Sequence, residues 1–295
     1  MRTIPASELI INADGSVFHL HLKPSQLADT VILVGDPGRV DMVSAMFDSV
    51  ECRVESREFR AVTGCYKGKR MTALSTGIGT DNIDIVVTEL DALANVDFDS
   101  RTIKAEHKSL TLVRLGTSGA LQADLAVGTQ LMSRTSVGFD GLLGYYEGRD
   151  EVCDVAMEQS FVEYMQWSSK KLPAPYFVNA SERLVRLFAD STVEGITISA
   201  PGFYGPQGRM VRLRPAMGED VNRRIAEWEY QGRRITNYEM EGSALAGLAA
   251  LLGHHAITIC TIIAQRVAGN AQTDYKPFVE QMVRMALDKL ATLID

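Results

Sequence analysis

The sequence lacks the features that mark a nucleic-acid-binding, membrane-spanning or disulfide-rich protein. Its net charge is −7, which argues against non-specific binding to nucleic acid or to anionic membranes. Its four cysteines form no CxxC pair and no metal-ligand spacing, so we expect free thiols in a reducing cytoplasm. The apolar stretch 243–264 is interrupted at Gly253, His254 and His255, which predicts a helix followed by a strand and no membrane span. The first residues lack the basic region and unbroken apolar segment of a signal peptide.

The chain also lacks an internal boundary. No stretch rich in proline, glycine and serine divides it, and it contains no repeat or low-complexity segment. Of its 295 residues, 46% are hydrophobic and 23% are charged, which is ordinary globular composition. This length suits one large α/β domain or two smaller ones. Because nothing marks a division, we expect residues 1–295 to form a single domain.

What the sequence does contain is an alternation of apolar runs with segments of helical spacing. Continuous apolar runs are typical of strands that are covered on both faces. Core strands are predicted at 30–35, 70–77, 109–119, 127–138, the first part of 194–206, and 255–264. Helices are predicted at 38–48, 82–96, 242–253 and 274–294. This alternation predicts an α/β fold in which helices flank a central mixed sheet.

Two predicted strand ends carry an arginine beside glycines. GDPGR, residues 35–39, ends the first strand and opens a helix, so Gly35, the helix amides and Arg39 together suit an anion. The same residues are also ordinary turn chemistry. In RLGTSG, residues 114–119, Arg114 lies in a run predicted to be buried and therefore needs a partner or a ligand. We expect the third strand to end in this glycine- and hydroxyl-rich turn. Since α/β sheets bind ligands beyond the carboxyl ends of their strands, the two segments together predict an anion site.

The segment STGIGTDN, residues 75–82, follows the second predicted strand but does not complete a dinucleotide-binding fingerprint. Gly77 and Gly79 supply the first two glycines of GxGxxG, whereas Asn82 occupies the third position. A lone GxG is weak support for such a site. We therefore reject dinucleotide binding.

Two carboxylates flank one methionine in NYEMEGSALAG, residues 237–247. Charged side chains rarely enter a core unpaired, so Glu239 and Glu241 need partners. One explanation is a helix N-terminus, where acidic side chains complement the helix dipole. The other is a pair of acceptors for the hydroxyl groups of a ligand. The pattern alone leaves both explanations open.

Seven motifs are spread along the chain from Val17 onwards: VFHLHL, GDPGR, SREF, STGIG, RLGTSG, FYGPQGR and NYEMEG. They occur in the order found in nucleoside phosphorylases of the uridine phosphorylase type, and the chain resembles that family from Val17 to its last helix. The resemblance implies a single α/β domain that assembles as homodimers or as hexamers built from dimers. It also implies reversible phosphorolysis of a nucleoside to a free base and ribose 1-phosphate, with phosphate as co-substrate and no required cofactor.

The resemblance further assigns the binding residues. The phosphate site would comprise Gly35, Arg39, Arg114 and Thr117, with Arg57 from the neighbouring subunit. The ribose site would comprise Glu239, Met240 and Glu241, with His19 reaching the 5′-hydroxyl across the dimer interface. The base would lie among Ser118, Gly119, Phe203, Gln207 and Arg209, supported by Arg266. Within this set, Arg39, Arg114, Glu241 and Arg209 are the expected catalytic residues.

Several positions depart from the family pattern. Gly242 follows the second glutamate, where uridine-specific members usually have serine, and Gln265 precedes Arg266 in place of asparagine. Some members of the family hold a monovalent cation such as potassium at a dimer interface, using residues that correspond to Glu58 and Ile78 and a serine; here Asn82 stands at the serine position, where a carbonyl oxygen could still serve. The segment 97–108 looks like an insertion before the third strand, and the sequence does not explain it.

Rival activities of the same fold remain open. Purine nucleoside phosphorylases protonate the base with an aspartate just after the last core strand, where this chain has Ala264 and no carboxylate anywhere in 258–271. A hydrolytic nucleosidase, or a nucleoside-binding protein without catalysis, would not need Arg39, Arg57 and Arg114. The sequence therefore favours phosphorolysis of uridine and related pyrimidine nucleosides, with a purine nucleoside phosphorylase or a hydrolytic nucleosidase as the alternatives.

Overall fold

Strands and helices alternate through most of the chain, which a computed structural model describes at residues 2–266, 270–271 and 274–293. The strands are β1 (Thr30–Val34), β2 (Ser49–Ser56), β3 (Phe59–Tyr66), β4 (Lys69–Ser75), β5 (Val96–Asp97), β6 (Thr102–Ile103), β7 (Thr111–Ala120), β8 (Gln130–Gly138), β9 (Tyr176–Asn179), β10 (Val193–Ser199), β11 (Glu229–Tyr230), β12 (Arg233–Glu239), β13 (His255–Gln265) and β14 (Asn270–Ala271). The helices are α1 (Pro37–Ser44), α2 (Thr80–Asn95), α3 (Arg149–Val152), α4 (Val155–Met165), α5 (Glu182–Phe188), α6 (Val221–Glu227), α7 (Gly242–Leu251) and α8 (Lys276–Ala291).

Twelve strands of the described part form one mixed sheet. Its order is β11-β12-β10-β8-β13-β7-β1-β4-β3-β2, with β14 paired to β13 and β9 paired to β8. β7 lies parallel to both β1 and β13, whereas β13 and β8 are antiparallel. β12 also pairs with β7, so β12, β10, β8, β13 and β7 close into a ring. The mixed α/β fold predicted from the sequence is confirmed.

The central strands are buried because helices cover both faces of the sheet. In β1, Val31 and Leu33 belong to the hydrophobic core shared with α2 and α7, whereas Ile32 and Val34 belong to the core shared with α1, α5 and α8. Successive residues of a strand point to opposite faces, so a strand with two covered faces is apolar at every position. This is why β1 was recognisable as a continuous apolar run.

One sequence expectation is wrong, and two strands at one edge of the sheet were missed. The RLGTSG segment is not a turn: Gly119 pairs with Tyr238 of β12 and with Ala264 of β13, so hydrogen bonding on both sides keeps β7 extended to Ala120. In addition, the antiparallel strands β2 and β3 were not predicted. Most of β2 is exposed or only partly buried, so it has no continuous apolar run to recognise. The predicted C-terminal helix corresponds to α8, and residue 294 lies outside the described residues.

The segment 97–108 anchors the N-terminal residues. β5 and β6 form a two-stranded hairpin, and Arg101 between them adopts a left-handed conformation with φ of 55°. Its backbone carbonyl accepts a hydrogen bond from the Ile4 amide at 2.8 Å. Its guanidinium donates to the carbonyls of Ile4, Pro5 and Leu9. The hairpin therefore fastens residues 4–9 to the body of the protein.

Helix length and composition also bear on the membrane question. No helix among the described residues has the length and apolar character to span a bilayer.

Candidate active site

Arg114 lies in the middle of the sheet and binds two carboxylates. It is in register with Leu33 of β1 and Thr258 of β13, and it is only 4% exposed. Its Nη1 lies 3.0 Å from Glu239 Oε2, and its Nη2 donates to Glu241 Oε2. Burial opposes the charge of Arg114, but the two carboxylates outweigh burial and raise its pKa above the ordinary value. We call Arg114, Glu239 and Glu241 the arginine–carboxylate cluster.

Glycine at position 116 allows this geometry. A Cβ built on Gly116 would lie 2.4 Å from Arg114 Nη1, so any other residue would displace the guanidinium. Two buried polar atoms at the cluster have no hydrogen-bond partner among the described residues, Arg114 Nε and Thr258 Oγ1. Buried polar atoms are usually paired, so these two atoms are candidates for contact with a ligand.

Glu239 and Glu241 have different roles in the fold. Glu239 ends β12, and its carboxylate accepts the backbone amides of Glu241 and Gly242 at 2.9–3.0 Å, together with the Ser199 hydroxyl. It therefore satisfies the free amides at the start of α7, as an acidic residue at a helix N-terminus does. A Cβ on Gly242 would lie 3.0 Å from Thr258 Oγ1 and 3.2 Å from Glu239 Oε1, which accounts for glycine at this position.

The Glu241 carboxylate, in contrast to that of Glu239, does not cap the start of α7. Its Oε1 accepts the Gly79 amide at 2.8 Å and its Oε2 pairs with Arg114, while the residue is 3% exposed. Burial raises the pKa of Glu241, and Glu239 adds to that effect, while Arg114 opposes it. Met240, between the two glutamates, is half-buried. Glu241 is thus a desolvated carboxylate held between a backbone amide and a guanidinium.

Arg39 provides a second positive charge near Arg114. It belongs to α1, whose N-cap is Asp36, and its Nη1 donates to the Leu115 carbonyl at 3.1 Å. Burial lowers the pKa of Arg39, and the neighbouring charge of Arg114 lowers it further. Gly35 precedes this helix, and Thr117 lies on β7 opposite Thr261. The two positive charges repel each other, so an anion bound between them would be stabilised by both.

The predicted base residues form a connected loop after β10. The Arg209 guanidinium lies 3.7 Å from the centroid of the Phe203 ring and donates to the Phe203 carbonyl and to Gln207 Oε1. Arg266 donates to Gln207 Oε1 at 3.2 Å and to its carbonyl at 2.6 Å. Burial lowers the pKa of Arg209, and burial together with Arg209 lowers the pKa of Arg266 to about 10.

These contacts orient the Gln207 amide. Because guanidinium nitrogens only donate, both arginines must face the amide oxygen of Gln207, and its Nε2 is left to donate elsewhere. Of the other predicted base residues, Ser118 accepts a hydrogen bond from Asn237 at 2.9 Å, and a Cβ on Gly119 would lie 3.5 Å from the Arg266 side chain. The strand segment and the loop therefore meet at Arg266.

His19 and Arg57 both pack against Phe18. The Phe18 ring packs edge-on against His19 at 4.8 Å, and the Arg57 guanidinium lies 5.5 Å from the same Phe18 ring. Among the described residues, neither His19 nor Arg57 has a hydrogen bond or ion pair to the arginine–carboxylate cluster or to Arg39. By their contacts the predicted site residues form two groups, one around Phe18 and one around the arginine–carboxylate cluster, Arg39 and Gln207.

Comparison with known proteins identifies the family. The family model described as the phosphorylase superfamily matches residues 29–295. The chain belongs to this superfamily. A uridine phosphorylase of Thermococcus kodakarensis is 28% identical over 259 residues, which are 86% of this chain and 79% of the relative. A guanosine phosphorylase of Halorubrum lacusprofundi is 28% identical over 287 residues, which are 93% and 98% of the two chains.

Solved structures agree with this membership. A crystal structure of a Trypanosoma brucei nucleoside phosphorylase with uridine phosphorylase activity has a TM-score of 0.86 at 26% identity, covering 97% of this chain and 100% of that one. The predicted resemblance to the nucleoside phosphorylase family is confirmed, and the chain is an enzyme of that family. Pyrimidine and purine phosphorylases match this superfamily member at the same identity, so membership leaves the base open.

The residues predicted to bind a cation surround Gly77. A Cβ on Gly77 would lie 2.5 Å from Asn82 Nδ2 and 3.2 Å from Glu58 Cγ. Asn82 Nδ2 also donates to the Ile78 carbonyl at 3.4 Å. The three residues are therefore neighbours in this phosphorylase, and the potassium site stays a prediction.

A second cluster, not predicted from the sequence, contains Asp91, His107 and His254. Their ligand atoms lie within 4.8 Å of one another. However, His254 Nδ1 accepts the Leu110 amide at 3.1 Å, so its Nε2 carries the proton and faces Asp91 Oδ1 at 3.1 Å. A metal needs a lone pair on that nitrogen. We therefore interpret this cluster as a polar contact between α2 and the α7–β13 turn, in which His254 Nε2 lies near Asp91 but makes no hydrogen bond among the described residues.

Tyr238, within the NYEMEG motif, is a further residue of the site that the sequence pattern does not single out. Its ring is buried, its hydroxyl has no partner among the described residues, and the Arg266 guanidinium lies 5.1 Å from its ring centroid. A further feature beside Arg209 is a cavity of about 1050 Å³, lined mainly by apolar side chains of Phe139, Trp167, Leu172, Val211, Leu213 and Met217. No local pattern in the sequence marks either feature, because both depend on long-range packing.

Proposed function

We propose that this enzyme catalyses phosphorolysis of uridine, and of related pyrimidine nucleosides, to uracil and ribose 1-phosphate. Binding of a base with a carbonyl group is carried by one observation: two arginines fix the buried Gln207 amide so that its Nε2 is free to donate. Such a donor suits a carbonyl group of uracil.

Phosphate binding is supported by the positive charges. Arg39 and Arg114 are close enough that the charge of Arg114 lowers the pKa of Arg39, and a phosphate dianion between them would relieve that repulsion. Gly35 and Thr117 complete this side, and Arg57 of the partner subunit would complete the other. Phosphate is then the nucleophile, and no further cofactor is required.

Arg114 would also connect phosphate to ribose. Its Nη atoms hold Glu239 and Glu241, while its buried Nε remains unpaired. A guanidinium has five N–H donors, so one side can hold Glu241 as acceptor for the 2′- and 3′-hydroxyls while another binds phosphate. Met240 would pack against the sugar. A single rigid group would then fix the spacing between nucleophile and C1′, which is the positioning that such a displacement needs.

In the reaction, a phosphate oxygen forms a bond to C1′ while the bond from C1′ to the base nitrogen breaks. The base leaves with the bonding electron pair and takes up a proton from water. Positive charge develops on the sugar, where the phosphate dianion and Glu241 stabilise it. Negative charge develops on the uracil carbonyl oxygens, where Gln207 and Arg209 stabilise it. Loss of one such donor typically raises a barrier by about 3 kcal/mol.

The purine alternative would need an acid beside the base. Ala264 near the end of β13 pairs with Gly119 of the predicted base site, and residues 258–271 contain no carboxylate. Uracil spreads its charge over two carbonyl groups and does not need such an acid. We infer from this difference that the enzyme acts on pyrimidine nucleosides.

A panel of nucleosides assayed with and without phosphate tests the proposal. Uridine should release uracil only when phosphate is present, with ribose 1-phosphate as the second product. Its kcat/KM should exceed that of inosine and guanosine at least about tenfold, a gap of about 1.4 kcal/mol. Release of free ribose in phosphate-free buffer would identify a nucleosidase, and efficient cleavage of inosine or guanosine would contradict the assigned base.

The assembly and location are part of the same proposal. His19 binds Glu89, ten residues along α2 from the Gly79 amide that binds Glu241, and this spacing supports a homodimer, or a hexamer of three dimers, in which neighbouring chains share active sites. Salvage of nucleosides with intracellular phosphate would place the enzyme in the cytoplasm.

A further inference from the structure

Glu89, on the third turn of α2, uses both carboxylate oxygens to bind two consecutive residues, His19 and Leu20. It accepts the backbone amide of His19 at 3.0 and 3.2 Å and that of Leu20 at 2.9 Å. It also lies 2.6 Å from His19 Nδ1. The Glu89 side chain is only 10% exposed. A buried carboxylate is costly unless it is paired, so these contacts account for its presence.

The contact with the imidazole ring has a specific chemical consequence. A carboxylate oxygen is only an acceptor, so the His19 nitrogen that faces Glu89 must carry a proton. In a neutral histidine the other nitrogen then has the lone pair. His19 Nε2 is therefore available as a hydrogen-bond acceptor, and it lies on the side of the ring away from Glu89.

The ring is held on a second side as well. Phe18 packs edge-on against it at an interplanar angle of 78°, while the His19 side chain stays 29% exposed. Glu89 and Phe18 together restrict rotation of the ring and leave one edge open. A histidine that only filled the surface would need neither a buried carboxylate nor a fixed tautomer.

We propose that Glu89 is a positioning residue that sets the tautomer and orientation of His19, so that Nε2 recognises the 5′-hydroxyl of the nucleoside. This inference rests on the proposed function, in which His19 serves the ribose site of the partner chain. Glu89 itself touches no substrate. It affects recognition of the 5′-hydroxyl, and it does not affect recognition of the base or of phosphate.

The test compares uridine with 5′-deoxyuridine, which lacks only that hydroxyl. Values of kcat/KM are measured for the wild-type enzyme, Glu89→Gln, His19→Ala and the double variant. Each single change should reduce the preference for uridine by about fivefold, as expected for one hydrogen bond, mainly through loss of uridine activity. The double variant should be no worse than His19→Ala. Asp91→Asn, a carboxylate change on the same helix, should leave the preference unchanged.

Two results would overturn the inference. Equal loss of activity on both substrates in Glu89→Gln would show that Glu89 only anchors the backbone, and additive losses in the double variant would show that it acts independently of His19. Failure of the proposed function is distinguishable, because the wild-type enzyme would then show no phosphate-dependent cleavage of uridine. If inosine proves to be the substrate, inosine and 5′-deoxyinosine give the same comparison.

A measurement on the wild-type enzyme avoids any folding defect of the variants. Long-range ¹H–¹⁵N spectra of the imidazole groups, at mildly alkaline pH, report which ring nitrogen of each histidine carries the proton. The His19 signals are assigned as those missing in His19→Ala. We expect the Nδ1–H tautomer for His19, and a proton on Nε2 with a bare Nδ1 would refute the role of Glu89.

Discussion

Two inactive variants should restore activity when they are combined, if each active site is built from two chains. Arg57→Ala removes a phosphate contact and Glu241→Ala removes the ribose acceptor, so each protein alone should be nearly inactive. The structure places these residues in different groups. Arg57 lies with His19 around Phe18, whereas Glu241 lies with Arg114 in the arginine–carboxylate cluster.

The geometry of α2 separates the two groups. The Gly79 amide at the start of this helix donates to Glu241, while Glu89, ten residues later, binds His19. A helix rises about 1.5 Å per residue, so these two contacts are about 15 Å apart along its axis. A single ribose is far smaller than that distance. His19 and Glu241 of one chain are therefore too far apart to hold the same sugar in the proposed site, and a two-fold arrangement would supply the missing half.

The magnitude follows from counting sites. When equal amounts of the two variants pair at random, about half of the dimers contain one chain of each kind. In such a dimer one site carries both substitutions and the other carries neither. The intact sites are therefore about a quarter of all sites, and the mixture should recover about a quarter of wild-type activity.

The assay unfolds the two variants together, refolds them and measures phosphate-dependent release of uracil. Native mass spectrometry of chains with different masses establishes that mixed dimers have formed. Arg114→Ala combined with Glu241→Ala is the matched control, because these residues touch within one chain and every mixed site keeps one defect. That mixture should stay inactive.

The shared-site model is refuted if mixed dimers form and the Arg57→Ala and Glu241→Ala mixture stays as inactive as its parents. In that case Arg57 acts within its own chain. Recovery in the control mixture would equally show that the assignment of residues to the two groups is wrong.

Three further predictions concern stability and reactivity. Tyr238→Phe should leave the free energy of unfolding unchanged or raise it by about 1 kcal/mol in denaturant titrations, since it removes an unpaired buried hydroxyl; a clear loss would mean that the hydroxyl has a partner. Glu239→Gln should lower the free energy of unfolding by about 3 kcal/mol, because it leaves the buried Arg114 with one carboxylate. A negligible loss in the same titrations would mean that Glu241 alone balances the charge. Burial raises the pKa of Cys153 to about 11 and that of Cys260 to about 12, so both thiols stay protonated at pH 8. Both should therefore resist alkylation in the folded protein, which peptide mass spectrometry would show, and rapid labelling would contradict their burial.

The parts of the fold that were predictable are those whose residues have two covered faces. β1, β7 and β13 lie at the centre of the sheet and are buried at most positions, and each contains an apolar stretch that stands out in the sequence. β2 forms an edge of the sheet and alternates between exposed and partly buried positions with several charges. Such a strand is defined by its pairing with β3, and a local sequence pattern does not reveal that pairing.

The candidate site shows the same limit. A charge inside an apolar run indicated that Arg114 needs a partner, but its partner Glu241 lies 127 residues away in sequence. His19 and Glu89 are 70 residues apart, and nothing near either residue indicates their contact. Local chemistry thus identifies residues that require a partner, while the topology of the sheet and of α2 decides which partner they find.

The two glutamates around Met240 illustrate why both explanations of that motif were needed. In a continuous strand, residues two apart point to the same face, and both carboxylates would have the same surroundings. Here β12 ends at Glu239 and α7 begins at Gly242, so Glu241 occupies the N-cap position and the turn sets the direction of its side chain. Glu239 consequently accepts the helix amides, whereas Glu241 remains an acceptor beside Arg114 with no capping role. Which carboxylate is left for a ligand depends on where the strand stops, and glycine at position 242 leaves room for the Glu239 carboxylate to reach the helix amides.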